Sequence, residues 1–436
     1  MATIFKRIED VLPCNMDTVD IDEEWNMGNE PEFKVHTIHA YPAKFPAFIA
    51  EKAIKYAKEK GVNISCVSDI FCGCGTVAFE AKRQNINFWG CDINPVATLI
   101  ARVKSEEYNL STLIHDYHII CNEYSSIEIN ESEYLQANER LQYWFDQAHY
   151  NDLRRLLLSI NRLPNNKYRR AFLCLFSSIL KSCSRWLTKS IKPQIDPNKI
   201  PADVFSAFEM QYNKFIKILE QEGIHTKSKV DIVTGNFLTK KNLPKVDLII
   251  TSPPYVTSYE YADLHQLSSL WLGFTEDYKA LRRGTIGSVY NCDDYYFEIM
   301  DLNSTGRKIV QELRSGKKIE NSKIKSVARY FIDMQHAANK CFEMLNSGGL
   351  ALFVVGDTEY KGIKICNSKH LIEALLSSGF SSVRVSKRKI SKKILTPYRD
   401  EYGKFTTDKH KRKIYHEEFV IIGEKSEPAN KKSSPK

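Results

Sequence analysis

The 436 residues are 43% hydrophobic and 26% charged, with a formal net charge of +9, which reads as a globular chain with core enough for two or three domains, or for one large domain with insertions. No apolar run reaches transmembrane length, and Met1-Ala2-Thr3-Ile4-Phe5-Lys6-Arg7 lacks the apolar core of a signal peptide, so no membrane is expected and the expected location is the cytoplasm. Eleven scattered cysteines argue for reduced thiols over a disulfide framework, and Cys72 and Cys74 have no second Cys/His pair at zinc-site spacing, so no metal is expected. Acidic residues (Asp17, Asp20, Asp22, Glu23, Glu24, Glu30, Glu32) crowd the start, while bases crowd 305–330 and 384–413. Such asymmetry suits a surface that faces a polyanion, although a single Lys-rich stretch is more often a solvated face.

Residues 1–34 read as an acidic, partly ordered leader. His39-Ala40-Tyr41-Pro42-Ala43-Lys44-Phe45-Pro46 leads into an amphipathic helix over 47–60, with Pro46 in its first turn and Gly61 at its end. A strand over 67–71 runs into Cys72-Gly73-Cys74-Gly75-Thr76 and a helix from about Val77, a junction where backbone N–H groups can meet a ligand. The third glycine of a dinucleotide fingerprint is missing, which disfavours a dehydrogenase. A strand over 87–92 ends in Asp92, placed either to bind both hydroxyls of a ribose or to cap the helix that starts at Pro95.

From 105 to 225 the apolar spacing turns helical and predicts an insertion packed on the sheet domain. Its end, residues 184–193, mixes bases, hydroxyls and an indole, and reads equally as a phosphate contact or as a helix terminus with favourable cations. Strands over 230–233 and 246–250 follow, the first ending in Thr234-Gly235-Asn236, the second in Thr251-Ser252-Pro253-Pro254-Tyr255. The two prolines fix the relation between Ser252 before them and Tyr255 after them. In a parallel sheet Gly73, Gly75, Asp92, Asn236 and Ser252 should converge at the C-terminal strand ends. Beyond lie a helix over 259–272, a basic loop at 281–288, a basic connection to 329, a helix over 330–345, a turn at Gly348-Gly349 and a strand over 350–355. A helix over 368–378, strands over 382–385 and 418–422, a basic excursion over 387–413 between them, and a disordered tail complete the chain.

Together these stretches resemble the S-adenosylmethionine-dependent DNA methyltransferases that modify exocyclic amino groups in restriction-modification systems. Residues 39–46 look like the N-terminal cofactor motif, Asp69-Ile70-Phe71-Cys72-Gly73-Cys74-Gly75-Thr76 like the Phe-x-Gly-x-Gly-Thr loop, and 251–255 like the catalytic Ser/Asp/Asn-Pro-Pro-Tyr. The resemblance implies a class I methyltransferase fold, α/β with a mostly parallel sheet and a helical insertion. It implies S-adenosyl-L-methionine held by Tyr41, Lys44, Phe45, Asp69, Phe71, Gly73, Gly75, Thr76, Asp92 and Asn236, and catalysis by Ser252, Pro253, Pro254 and Tyr255. Asn236 stands where an Asp is often found in related enzymes. Ser252 points to N4 of cytosine, since adenine-N6 enzymes usually carry Asp or Asn there. The implied substrate is double-stranded DNA, and a separate cognate restriction endonuclease is a possible partner. The expected division is a leader (1–34), a methyltransferase domain (35–104, 226–274 and 330–423), the helical insertion as candidate target-recognition region (105–225), a basic connection (275–329) and a tail (424–436). An RNA or protein methyltransferase and a non-catalytic nucleic-acid-binding protein on the same scaffold remain the competing readings.

Overall fold

The computed structural model describes residues 6–7, 16–28, 31–256, 260–288, 290, 300–316, 319–390, 398–399, 406–413 and 416–426. Its strands are Lys6–Arg7 (β1), Cys66–Asp69 (β2), Asn87–Asp92 (β3), Val230–Thr234 (β4), Val246–Thr251 (β5), Leu345–Val355 (β6), Thr358–Tyr360 (β7), Ile363–Ile365 (β8), Ser382–Lys389 (β9), Tyr398–Arg399 (β10), Arg412–Lys413 (β11) and Glu417–Glu424 (β12). Eight of them form one sheet in the order β1-β9-β12-β6-β5-β2-β3-β4. From β4 across to β6 all neighbours are parallel, while β12 lies antiparallel to both β6 and β9. β9 therefore runs with the parallel set, and the sheet is mostly parallel, as expected. Val246, Leu248, Ile249, Ile250 and Thr251 of β5 are all buried, because helices cover a parallel sheet on both faces.

From β2 the chain steps outward to β3 and β4, then returns to the other side of β2 with β5 and continues to β6. The direction of winding thus reverses between β2 and β5, and such a switch point leaves a crevice at the carboxyl ends of the strands. Asp69 and Thr251, the last residues of these two strands, open onto it.

The helices that cover β2 and β3 are Ala47–Glu59 (α1), Thr76–Arg83 (α2) and Pro95–Ser105 (α3). Ala47, Ala50, Ile54 and Ala57 follow helical spacing and bury one stripe of α1. Pro46 is the N-cap residue of α1, one position before the expected first turn. Beyond α3 come Leu110–Ser126 (α4), Glu131–Leu135 (α5), Glu139–Trp144 (α6), Gln147–Asn161 (α7), Asn166–Ile179 (α8) and Val204–Glu222 (α9). Each of these six starts at an Asn or Asp whose side chain accepts a first-turn N–H: Asn109, Asn130, Asn138, Asp146, Asn165 and Asp203. Their shared core of Trp144, Phe145, Phe172, Phe176, Phe208 and Phe215 runs on into Leu99, Ile100 and Val103 of α3, which seats the insertion on the sheet domain.

Several expectations are corrected. The acidic leader is strapped along the far edge of the sheet: Lys6–Arg7 pairs with β9, Asp22 donates its N–H to Lys387 O, and Trp25 is buried against Ile54 and Ala57. Lys387 and Arg388 belong to β9 and are buried, paired with Glu417 and Glu418 of the neighbouring strand. They do not begin a solvated excursion. The basic connection contains a helix, Ser304–Ser315, whose Ile309, Val310 and Leu313 join the main core. The next helix, Asn321–Met344, starts well before Tyr330. Basic residues on the outer face of that stretch masked its apolar stripe. Gly348-Gly349 lies inside β6, beside a register irregularity between β5 and β6, and Gly349 lies so near Asp247 that a Cβ would come within 2.9 Å of its carbonyl oxygen. The tail beyond residue 426 lies outside the described residues.

Gly75, the N-cap of α2, has φ +75°, and a Cβ there would lie 2.6 Å from Ala101 Cβ. Gly75→Ala is therefore expected to lower stability by about 2 kcal/mol or more, read as a lower urea midpoint with an unchanged denaturant slope.

Candidate active site

Asp69 is 2% exposed, and its Oδ1 accepts from Phe71 N (3.1 Å) and from Thr251 Oγ1 (2.6 Å). The carboxylate thus ties the end of β2 to the end of β5 across the switch point. Burial pushes its pKa up to about 7, against the lowering effect of those two bonds.

After Asp69 the chain turns through Gly73 (φ +48°) and Gly75 (φ +75°), both in the left-handed region that a side chain resists. Gly73 N donates to Asp92 Oδ2 at 2.8 Å, and Asn94 N donates to Asp92 Oδ1 at 2.8 Å. The cap of α3 is Asn94, which accepts from Val96 N. Asp92, half-buried at the tip of β3, is left to brace the glycine turn from the crevice. Burial raises its pKa despite the two backbone donors.

Tyr41 comes to the same place. A Cβ on Gly73 would meet the Tyr41 ring first, at 3.6 Å, and that ring stacks on His265 with centroids 5.0 Å apart. Phe71 meets Phe237 edge-on at 6.4 Å, and Thr76, 1% exposed, opens α2. Two further expected cofactor residues have protein partners of their own. Lys44 pairs with Glu32 at 2.7 Å, and Glu32 also accepts from Ala47 N, while Phe45 packs against the cluster around Trp25 and Ile49. Charge neutralisation draws the first and apolar burial the second. Asn236 Oδ1 accepts from Leu238 N (2.8 Å) and Nδ2 donates to Gly284 O (3.2 Å), so its amide joins the end of β4 to the 281–288 loop.

Ser252 is half-buried directly after β5, followed by the buried Pro253 and the half-buried Pro254. The Tyr255 ring lies against Gly356, where a Cβ would come within 3.1 Å of Cε2. Its hydroxyl donates to Glu418 Oε1 at 2.8 Å, and Arg388 donates to Glu418 Oε2 at 2.5 Å. Burial raises the phenol pKa well above its ordinary value.

Three residues of this neighbourhood had no sequence signal. Glu418 and Arg388 come from the last strands, far along the chain, inside segments that read as basic or merely apolar. His265 interrupts the expected helix, dividing it into Tyr261–Leu264 (α10) and Gln266–Trp271 (α11). Its Nδ1 lies 2.7 Å from Asn94 Nδ2, so the imidazole accepts there and carries its proton on Nε2. Burial lowers its pKa to about 3 and keeps it neutral. Among the described residues no group of His, Cys, Asp and Glu is arranged to hold a metal, and no helix is long and apolar enough to cross a membrane.

A mostly parallel sheet with a glycine turn after β2, a carboxylate ending β3 and a Ser-Pro-Pro-Tyr turn after β5 defines a class I methyltransferase fold. Over residues 6–102 the chain matches the family described as DNA methylase. It is 23% identical over 358 residues to the type II methyltransferase M.MvaI of Kocuria varians, which covers 76% of this chain and 78% of that protein. It is 22% identical over 385 residues to the type II methyltransferase M.BsoBI of Geobacillus stearothermophilus, covering 76% of each. With the type II methyltransferase M.AvaI of Anabaena variabilis it shares 24% identity over 345 residues, 69% of this chain and 70% of that one. The chain is thus similar to DNA methylases over its first part and to type II methyltransferases over most of its length.

Because the folded Asp69 carboxyl holds its proton up to about pH 7, the native state binds more protons than the unfolded chain between the ordinary carboxylate range and that value. Its contribution to stability is therefore lost as pH rises through this window. Asp69→Asn keeps an oxygen acceptor for Thr251 and Phe71 and removes the ionisation. Thermal unfolding followed from pH 5 to pH 8 should show less loss of stability with rising pH in the variant than in the parent protein.

Proposed function

We propose that the protein transfers a methyl group to the exocyclic N4 amino group of cytosine at a specific sequence in duplex DNA, as the modification component of a restriction-modification system with a separate endonuclease. The observation that carries this reading is the position of Ser252-Pro253-Pro254-Tyr255 at the switch point, on the strand next to the Gly73 turn that Asp92 braces. Serine before the two prolines favours cytosine; adenine N6 is the alternative on the same scaffold.

The site residues fit S-adenosylmethionine. Gly73 has no Cβ to stand between its backbone and the Tyr41 ring, and Asp92 ends β3 with acceptor oxygens suited to vicinal ribose hydroxyls. Gly75 and Thr76 supply the helix start beside the turn. Bound there, the cofactor would supply an electrophilic methyl group on a sulfonium sulfur.

The rest falls to the protein. An amino group conjugated with its ring is a poor nucleophile. Ser252 Oγ and the Pro253 carbonyl would accept its two N–H groups and favour a pyramidal nitrogen with a free lone pair. The amino nitrogen held in this way would take the methyl group from the bound cofactor and give up its proton to solvent. A base inside a duplex cannot reach this crevice, so the target nucleotide must leave the stack, with the Tyr255 ring as a wall of its pocket. The insertion α4–α9 is the candidate region for reading the flanking sequence, and the basic 275–329 stretch is a second candidate for DNA contact.

Base-resolved methylation mapping of DNA from a host without background methylation, expressing this chain, should show N4-methylcytosine at one short recurrent sequence. N6-methyladenine there would overturn the choice of base, and an unmarked genome with cofactor binding intact would overturn DNA as the substrate. In vitro, Ser252→Ala should lower methyl transfer by about 100-fold or more with cofactor affinity nearly unchanged. Asp92→Ala should weaken cofactor binding first, as measured by calorimetry.

A further inference from the structure

Tyr41, Gly73, Asp92, Asn94 and His265, drawn from separate stretches of the chain, close a ring of contacts. The Tyr41 ring lies where a Cβ on Gly73 would be, and Gly73 N donates to Asp92 Oδ2. Asn94 N donates to Asp92 Oδ1, and Asn94 Nδ2 lies 2.7 Å from His265 Nδ1. The imidazole then stacks on Tyr41, with 25° between the ring planes, and the circuit is complete.

The polarity of the Asn94 link is fixed from its far end. Val96 N can only donate, so the Asn94 atom 3.0 Å from it must be the amide oxygen. The amide nitrogen therefore donates to His265 Nδ1, and the imidazole proton stands on Nε2. That N–H has no partner among the described residues, although His265 is only 5% exposed. A buried donor without an acceptor takes away at least as much stability as one ordinary hydrogen bond adds. A phenylalanine would present a flat face to Tyr41 and carry no such cost. What the imidazole alone supplies is the acceptor at Nδ1, which ties the Tyr41 ring to the cap of α3 and to the turn that carries Asp92. Both Asp92 oxygens keep lone pairs beyond those taken by Gly73 and Asn94, so two hydroxyls can still donate to them.

We propose that His265 is a positioning residue for the cofactor: accepting from Asn94 and stacking on Tyr41, it holds the Tyr41 ring and the Asp92 carboxylate in one geometry. This rests on the S-adenosylmethionine site proposed above. To that site it adds a group from beyond the Ser-Pro-Pro-Tyr turn, at the break between α10 and α11.

Two variants cut the link. His265→Phe keeps a ring against Tyr41 and removes both the acceptor and the unpartnered donor. It should melt at or above the temperature of the parent protein, yet bind S-adenosylmethionine about tenfold more weakly, the worth of one hydrogen bond, as read by calorimetry. Asn94→Ser keeps an oxygen to cap α3 but has no N–H to offer His265, and should weaken binding by a similar factor. The double variant should bind no more weakly than the weaker single one, because both changes cut the same link. Without cofactor, the imidazole nitrogen NMR shifts of the parent protein should show a bare Nδ1 and a protonated Nε2 at His265, a preference lost in Asn94→Ser. Parent-like affinity in His265→Phe, multiplicative losses in the double variant, or a proton on Nδ1 in the parent protein would overturn the proposal. Weaker affinity joined to a lower melting temperature in both variants would mark a structural role and overturn it too. A parent protein that binds no S-adenosylmethionine would overturn the cofactor site and this proposal with it, whereas the other outcomes, with the parent protein binding, overturn this proposal alone.

Discussion

The clasp between Asp69 and Thr251 is the constraint on which the rest of this site depends. Parallel neighbours at a switch point share a ladder but send their loops apart, and nothing in the ladder sets the distance between the loops. A carboxyl that accepts at once from Thr251 Oγ1 and from Phe71 N locks the loop after β2 to the loop before Ser252. With both residues almost wholly buried, the bonds are shielded from water and hold the two turns as one unit. The glycine turn after β2 and the Ser-Pro-Pro-Tyr turn after β5 are thus built from a single joint.

Outward from that joint, each further part of the crevice is braced by a group from another stretch of chain. Asp92 at the end of β3 accepts from the glycine turn, and Asn94 beside it caps α3 and meets His265 from beyond the Ser-Pro-Pro-Tyr turn. His265 in turn carries the Tyr41 ring over Gly73. On the other flank Tyr255 is held from β12 through Glu418 and from β9 through Arg388. The antiparallel strand inserted between β6 and β9 therefore has a local use, since it brings a carboxylate to the far side of the Ser-Pro-Pro-Tyr turn. Polar networks of this kind hold a site more narrowly than apolar contact alone, provided every member finds its partner.

The helical insertion stands apart from these networks and is bound to them by its core. Stacked Tyr117 and Tyr212, with centroids 3.8 Å apart, and a set of buried phenylalanines give it a centre of its own, continuous with α3. Gln266 of α11 accepts from Arg140 and from the Trp144 indole, which joins the insertion to the helices that follow the Ser-Pro-Pro-Tyr turn. The insertion is thereby anchored beside the Ser-Pro-Pro-Tyr turn.

Much of the scaffold was legible because it follows from local periodicity and backbone chemistry. The run Asn87–Asp92 is a strand with the expected bounds, the Ala and Ile spacing of α1 gives an amphipathic helix, and glycines at 73 and 75 mark a turn that only they fill without strain. From these the sequence by itself determined an α/β chain whose polar strand ends gather at one edge, and with them Gly73, Gly75, Asp92 and Ser252. It did not reveal that Lys44 and Phe45 would be drawn off by Glu32 and by an apolar cluster. Nor did it reveal that the acidic leader would strap the sheet, or that Lys387 and Arg388 would be buried inside a strand. Those outcomes depend on which residue lies opposite in space, whether Glu32 close by in the chain or Lys387 far along it, and no periodicity encodes that. The tertiary structure alone decided that Glu418 would meet Tyr255, because only the antiparallel pairing of β12 with β9 sets Arg388 against Glu418 beside the Ser-Pro-Pro-Tyr turn.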